Sequence, residues 1–185
     1  MLIGSYTPGE AHYLPYNWES PRVAAYLVSL IAAANPTLKT EHIGSTAVPG
    51  CWGKGIIDLL VTYETGCLRQ AKDTLDRLGF QRQRGPEAFP ETRPVRVGSV
   101  EYFGRAYRVH AHLIQDGSPE ARDLVRFRDL LRSDAELLRA YEAQKRAILA
   151  RGITESSEYS RAKGEFIRHV LAGQWQPQLT ERTTF

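Results

Sequence analysis

The sequence predicts an α/β (α+β) fold: a mixed β-sheet with helices packed on it and a C-terminal three-helix portion. Three observations predict it. Short apolar runs punctuated by Gly and Pro recur from Thr37 to Ile114 and read as strands. Apolar residues at helical spacing, Val23-Ala24-Leu27-Leu30-Ile31 and Leu68-Ala71-Leu75-Leu78, interleave with them. From Asp116 onward the helical period takes over altogether. A sheet followed by such a run suggests helices packed on one side of it.

The first helix follows Ser20-Pro21, a cap residue with proline in the first turn, and ends before Pro36. Thr37–Ile43 is a strand, Gly44–Gly53 a loop of small residues, and Gly55–Val61 a second, mostly apolar strand. The helix through Leu68 and Leu78 stops at Gly79. Strands near Phe80–Gln83, Val95–Phe103 and Tyr107–Ile114 follow, with Pro86, Pro90 and Pro94 confining the loop between the first two. The C-terminal helices start at Ser118-Pro119, at the capping-box arrangement Ser133-Asp-Ala-Glu136, and near Ser157, the last running to Leu171. Residues 1–12 read as a loose lead-in, 13–173 as one domain and 174–185 as a polar tail.

Length and composition agree with one domain. A chain of 185 residues can bury a substantial core, and 42% hydrophobic with 24% charged residues is ordinary for a globular protein. No stretch approaches the roughly 20 apolar residues of a membrane span, and the N-terminus lacks the basic start and apolar run of a signal peptide. The expected compartment is therefore the cytoplasm. A net charge of +3 favours anionic small molecules and falls far short of a nucleic-acid footprint. Cys51 and Cys67 fit neither a disulfide framework nor a metal knuckle. Neither has a base nearby in sequence, and both read as small apolar residues. The sequence carries no signal of oligomeric state.

The chemistry concentrates in Glu41–Val61, EHIGSTAVPGCWGKGIIDLLV. Gly44 lets a ligand approach the backbone without a β-carbon in the way. Ser45 and Thr46 offer hydroxyls beside backbone N–H groups, a setting that suits phosphate oxygens. Lys54 adds a mobile positive charge at the mouth of the second strand. Asp58 lies in an otherwise apolar strand and must be paired, metal-bound or at an open edge, because uncompensated burial is costly.

His110 and His112 are two apart on a predicted strand and share a face. They are read as two metal ligands with Asp58 as a third, as donors to phosphate, or as members of a polar network. Lys145 and Lys163 each fall inside an apolar helical stripe. Either both stems snorkel, or the two form an anion-binding wall facing the sheet. Arg128 is a candidate ligand contact, or the partner of Asp129. Arg93, Arg96, Arg105 and Arg108 make the central strands basic; most are read as solvated, with some expected to face the cleft. His12 and His169 read as incidental.

The same segment closely resembles the GrpB family, whose fold is nucleotidyltransferase-like. The resemblance extends through Pro15-Tyr16 with Trp18, HAHL at 110–113, FRDLLR at 127–132, Tyr141 with Lys145, and Tyr159 with Lys163 and Phe166-Ile167. It covers about residues 14–171. It implies a glycine–serine turn, Gly44-Ser45, that holds a nucleoside triphosphate. It also implies a pair of metal-binding carboxylates one residue apart, of which Asp58 is the first. The second position is Leu60, which cannot ligate metal, so ordinary two-metal transfer is in question. Relatives usually read Leu-Ala-Ala-Lys-Pro where this chain has Cys51-Trp52-Gly53-Lys54-Gly55. The loop should be looser, with Trp52 closing over a ligand or packing outside the sheet.

The leading expectation is a protein that binds a phosphate-bearing small molecule, a nucleotide or related metabolite. Its divalent metal would be Mg²⁺ or Mn²⁺, with Zn²⁺ third in order. If chemistry occurs, it is nucleotidyl or phosphoryl transfer, with Asp58 and Lys54 as the catalytic groups. One alternative is a non-catalytic binding or accessory module. Because GrpB-like domains occur fused to dephospho-coenzyme A kinase, its ligand would be a nucleotide or coenzyme A-related. The other is a metal-dependent hydrolase using Asp58, His110 and His112.

Overall fold

The computed structural model describes residues 3–7, 13–85, 88–153 and 156–176. Five strands, β1 (Lys39–Ile43), β2 (Ile57–Tyr63), β3 (Gln81–Arg82), β4 (Val95–Tyr102) and β5 (Arg105–Gln115), form one sheet in the order β1-β2-β5-β4-β3. β2 and β5 run parallel and every other neighbouring pair antiparallel, so the sheet is mixed. The helices are α1 (Ser20–Ala34), α2 (Leu68–Arg77), α3 (Pro119–Ser133), α4 (Ala135–Ala150) and α5 (Ser156–Leu171).

Alternation along β2 and β5 sorts side chains to two faces. Ile57, Leu59 and Val61, with Val109, Ala111 and Leu113, bury against Val23, Leu27 and Ile31 of α1 and Ala71 and Leu75 of α2. Ile43, Leu60 and Ile114 on the opposite face bury against Ala121, Leu124 and Val125 of α3. The helices thus take both faces, not the one side expected, because the central strands are apolar on both. A third apolar cluster joins α3, α4 and α5 to Val48 and Cys51 of the loop between β1 and β2. Leu60 lies in the apolar layer under α3 and is 2% exposed.

The predicted caps shift by a residue. Glu19, not Ser20, occupies the N-cap of α1, and Asn17 Oδ1 accepts from the Glu19 N–H at 3.0 Å. Asp134 caps α4, its carboxylate accepting from the N–H groups of Glu136 and Leu137 at 2.8 and 2.9 Å. Ser133 instead ends α3, its hydroxyl donating back to Asp129 O. Ser118 caps α3 as expected, accepting from Ala121 N–H.

Residues 3–7, expected as part of a loose lead-in, lie on the sheet. Gly4 bridges to Ser99 of β4, and Ile3 is buried in the main core. Gly98 leaves the room Ile3 occupies: a β-carbon there would lie 2.4 Å from Ile3 Cγ2. Tyr6 N–H donates to Gln81 Oε1 at 2.8 Å. His12 and residues 177–185 of the tail lie outside the described residues.

Candidate functional site

On the sheet face that packs under α3, Asp58 lies near the N-terminal end of β2, outside the apolar cluster that Leu60 joins. Parallel pairing sets Asp58 opposite His110, and Leu60 opposite His112. All four side chains share that face, but Leu60 is sealed in hydrocarbon while Asp58 keeps 26% of its side chain exposed. His112 Nε2 lies 3.3 Å from Asp58 Oδ1, and His110 Nδ1 lies 3.7 Å from the same oxygen. These three residues offer ligand atoms within 4.8 Å of one another.

The bend after β1 packs directly on this acid. Gly44 has φ +72°, and a β-carbon there would sit 2.5 Å from Asp58 Oδ2. A single 3-10 turn, Ser45–Ala47, follows, and its first N–H groups have no partner within the turn. Ser45 Oγ lies against Gly53, where a β-carbon would come within 2.4 Å. Two glycines therefore close the bend onto Ser45 and Asp58.

Two lysines flank the acid from the helical side. Lys54 Nζ and Lys163 Nζ lie 4.6 and 4.7 Å from the centroid of the Tyr159 ring, so one aromatic face system holds both cations. Burial, then the Lys54 charge, pushes the Lys163 ammonium down to about 8, against the pull of Asp58. Burial pushes the Asp58 carboxyl up, but the His112 hydrogen bond and the charges of His110, His112 and Lys163 outweigh it and hold Asp58 below its ordinary value. Burial lowers His110, and Asp58 only partly offsets it.

Outer contacts orient the histidines. Tyr6 hydroxyl lies 2.8 Å from His110 Nε2, and Arg93 Nη1 donates to His112 Nδ1 at 3.3 Å. Arg108 Nη2 donates to Lys54 O at 3.2 Å, tying the loop to β5. Of the four arginines expected on the central strands, Arg93, which lies in the loop before β4, and Arg108 of β5 reach the site. Arg96 faces α2, fully buried between Asp76 at 2.6 Å and Glu91 at 3.0 Å, and Arg105 lies over Tyr107. The groove of about 670 Å³ along α3, lined by Asp116, Arg122, Arg126 and Asp129 among others, contains none of the site residues.

Three candidate ligand residues serve the scaffold instead. Thr46 is buried, and its hydroxyl donates to Ile56 O at 2.9 Å while accepting from His42 Nε2–H at 3.0 Å. Burial lowers His42 to about 4, so it donates as a neutral ring. Thr46→Val is expected to leave the Ile56 carbonyl and His42 N–H unpaired. That should cost about 2 kcal/mol in thermal or urea unfolding, with ligand affinity unchanged.

Arg128 is committed to the packing of α3 on β1. It donates to Asp129 at 2.8 and 3.2 Å, to Glu41 at 2.9 Å and to His42 O at 3.0 Å. Lys145 is 1% exposed. It donates to Trp52 O and to Cys51 Sγ, the latter at 3.2 Å, and lies 4.6 Å from the Tyr141 ring centroid. It pins the loop from below, and its charge reaches Lys163. It is also the basic partner of Cys51 that sequence proximity could not reveal. Burial nevertheless raises the Cys51 thiol, outweighing the nearby Lys145 charge. Trp52 does not lie loose: its ring stacks on Tyr13 at 5.5 Å and its backbone N–H donates to Glu142 Oε1 at 2.8 Å.

Comparison with known proteins agrees with this architecture. The GrpB protein family matches residues 12–173. A UPF0157 protein of Streptomyces coelicolor is 31% identical over 75% of this chain and 69% of its own length. One of Pseudomonas aeruginosa is 35% identical over 76% of this chain and 57% of its own length. The crystal structure of conserved protein GrpB from Enterococcus faecalis superposes with a TM-score of 0.65 at 20% identity, over 89% of this chain and 100% of that one. The Cid1 poly(U) polymerase bound to Mg 3'-dATP shares the fold at a TM-score of 0.50 and 11% identity, over 80% of this chain and 49% of that one. With matching sequence across the domain and a matching nucleotidyltransferase-like sheet beneath it, the chain belongs to the GrpB family.

Proposed function

We propose that this protein binds a phosphate-bearing small molecule, a nucleotide or related metabolite, in the cleft around Asp58. The phosphate would lie between the Gly44-Ser45 bend and the Lys54–Lys163 pair. The observation that carries this reading is a convergence of groups. The Gly44 bend packs on the Asp58 carboxylate, and two ammonium groups share one tyrosine ring beside it, a positive setting that suits a phosphate anion.

A divalent cation fits the same place. Asp58, aided by His110 or His112, would hold it, and when bound it would supply Lewis-acid neutralisation of phosphate charge. Mn²⁺ accepts both imidazole and oxygen ligands, while Mg²⁺ would take its remaining ligands from phosphate and water. The protein's own groups then act by position. Ser45 and the bend amides orient phosphate oxygens, while Lys163 and Lys54 offset their charge.

A second reading, binding without transfer, is favoured by Leu60. Packed in hydrocarbon under α3, it removes the second carboxylate a two-metal mechanism needs. The ligand in that case remains a nucleotide or a coenzyme A-related molecule.

Thermal shift with nucleotides and coenzyme A precursors, with and without Mg²⁺, Mn²⁺ and Zn²⁺, tests the proposal. A ligand at 100 times its Kd adds about 2.7 kcal/mol, or roughly 5–10 °C for a domain of this size. The expected result is a nucleotide shift strengthened by Mn²⁺ or Mg²⁺, the metal increment lost in Asp58→Asn. A shift that ignores metal and survives Asp58→Asn selects the binding module. No shift with any phosphate compound ends the proposal.

A further inference from the structure

The two histidines beside Asp58 are not equivalent, and the difference lies in what touches their outer nitrogens. His112 Nδ1 faces Arg93 Nη1 at 3.3 Å. That guanidinium is held firmly: its Nε and Nη2 donate to Glu120 Oε1 at 3.0 and 2.6 Å, and it lies 4.9 Å from the centroid of the Phe89 ring. A guanidinium has donors only. A neutral imidazole facing it must accept at Nδ1 and therefore carries its proton on Nε2, on the side of Asp58.

A cation at Asp58 needs the lone pair of Nε2. Freeing it moves the ring proton to Nδ1, where it would point at an Arg93 N–H. Metal-bound histidines ordinarily donate their other N–H to an acceptor, a carboxylate, carbonyl or water; Arg93 is the opposite. His110 meets a different neighbour. Its Nε2 faces the Tyr6 hydroxyl at 2.8 Å, and a hydroxyl both donates and accepts. His110 can therefore carry its proton on Nε2 and turn the Nδ1 lone pair toward Asp58.

We propose that Arg93 is a specificity-determining residue that occupies His112 Nδ1, withholds His112 from a cation, and leaves Asp58 and His110 as the two protein ligands. His112 then works as a fixed donor that orients the Asp58 carboxylate. A two-ligand site binds a bare transition metal weakly and favours a cation that brings further oxygen ligands, as a phosphate complex of Mn²⁺ or Mg²⁺ does. This rests on the cation reading of the Asp58 cleft proposed above and assigns its selectivity.

The test measures Zn²⁺ affinity of the ligand-free full chain by competition with a chromophoric chelator. Arg93→Met removes the opposing donor, and Arg93→Gln supplies an amide oxygen that accepts from His112 Nδ1–H. Both variants are expected to bind Zn²⁺ at least 10-fold more tightly than the natural chain, within the 10- to 100-fold reach of outer partners on metal affinity. Adding His112→Ala to either should erase the gain, which a merely structural role for Arg93 would not predict. Unchanged or weaker binding in both variants overturns the proposal, as does a gain that survives His112→Ala. If the natural chain already binds Zn²⁺ tightly through His112, the Arg93 assignment alone fails. If no variant binds Zn²⁺, and Mn²⁺ adds nothing to nucleotide stabilisation, both the assignment and the cation reading fail.

Discussion

Alanine at position 44 is expected to lower affinity for the phosphate ligand at least 100-fold while the sheet and helices stay folded. Two effects act together. Gly44 adopts φ +72° with ψ −171°, a region essentially reserved for glycine, where an L side chain costs on the order of 1–3 kcal/mol. The added methyl would also lie 2.5 Å from Asp58 Oδ2 and 3.1 Å from its Cβ and Cγ, so bend and carboxylate must separate. Displacing one reacting or binding group by about 1 Å is enough for a loss of this size. Gly50 supplies the control. Its φ is +79°, but nothing lies within 4 Å of the β-carbon an alanine would add. Gly50→Ala should show the backbone cost in stability, with ligand affinity close to that of the natural chain. Titration calorimetry with the best ligand from the thermal screen compares them. Equal affinities for the two variants would mean that the bend after β1 does not border the binding site.

Period-two alternation made the centre of this site legible. In β5 it put His110 and His112 on one face, and the lone acid in an apolar strand marked Asp58. Residue chemistry marked the glycine–serine bend as a phosphate setting, and family resemblance tied it to a nucleoside triphosphate. What the sequence could not show was which partner each polar group would choose. Thr46 read as a phosphate hydroxyl because it follows Gly44-Ser45, yet His42 one strand back and Ile56 across the loop consume it. Arg128 read as a ligand contact or as the partner of Asp129; the structure shows the Asp129 pair, and adds Glu41, 87 residues away, which the sequence could not show. Lys145 and Lys163 sit alike in their helical stripes. Only packing reveals that one is sealed beneath Trp52 and the other opens toward Asp58.

The opposite omission has the same cause. Tyr6 reaches His110 across 104 residues because residues 3–7 continue the sheet edge beside β4. The polar, glycine-containing composition of that segment reads as a loose end. The room that Gly98 makes for Ile3 is invisible until the strands pair. Arg93 lies in a loop between prolines, and nothing local aims it at His112. Periodicity therefore found the groups that stand on strands, while the groups that tune them arrive from segments without a period.

Lys163→Met is expected to stabilise the ligand-free protein and to weaken phosphate binding about 30-fold. Burial and the neighbouring Lys54 lower the Lys163 ammonium from 10.5 to about 8, so the folded state holds this proton less tightly than the unfolded chain does. Below pH 8 both states are protonated and the folded state bears the full cost, bounded by about 3 kcal/mol. Between pH 8 and 10.5 the unfolded chain binds more protons, and stability rises with pH. Above 10.5 the penalty is gone. Methionine removes it at every pH, so the variant should be about 2 kcal/mol more stable at pH 7, with the Lys163 contribution to the rise between pH 8 and 10.5 abolished. The same ammonium, brought against a phosphate, makes a charge-assisted hydrogen bond of roughly 1.5–3 kcal/mol, which converts to the expected loss of affinity. Binding by the natural protein should weaken as pH rises through about 8, and binding by the variant should lack that step. Urea unfolding across pH, paired with ligand titration at pH 7 and 9, reads both halves. A variant less stable at pH 7 with unchanged affinity would make Lys163 a packing residue. The opposed signs are the mark of a charge kept in an unfavourable place for the ligand it awaits.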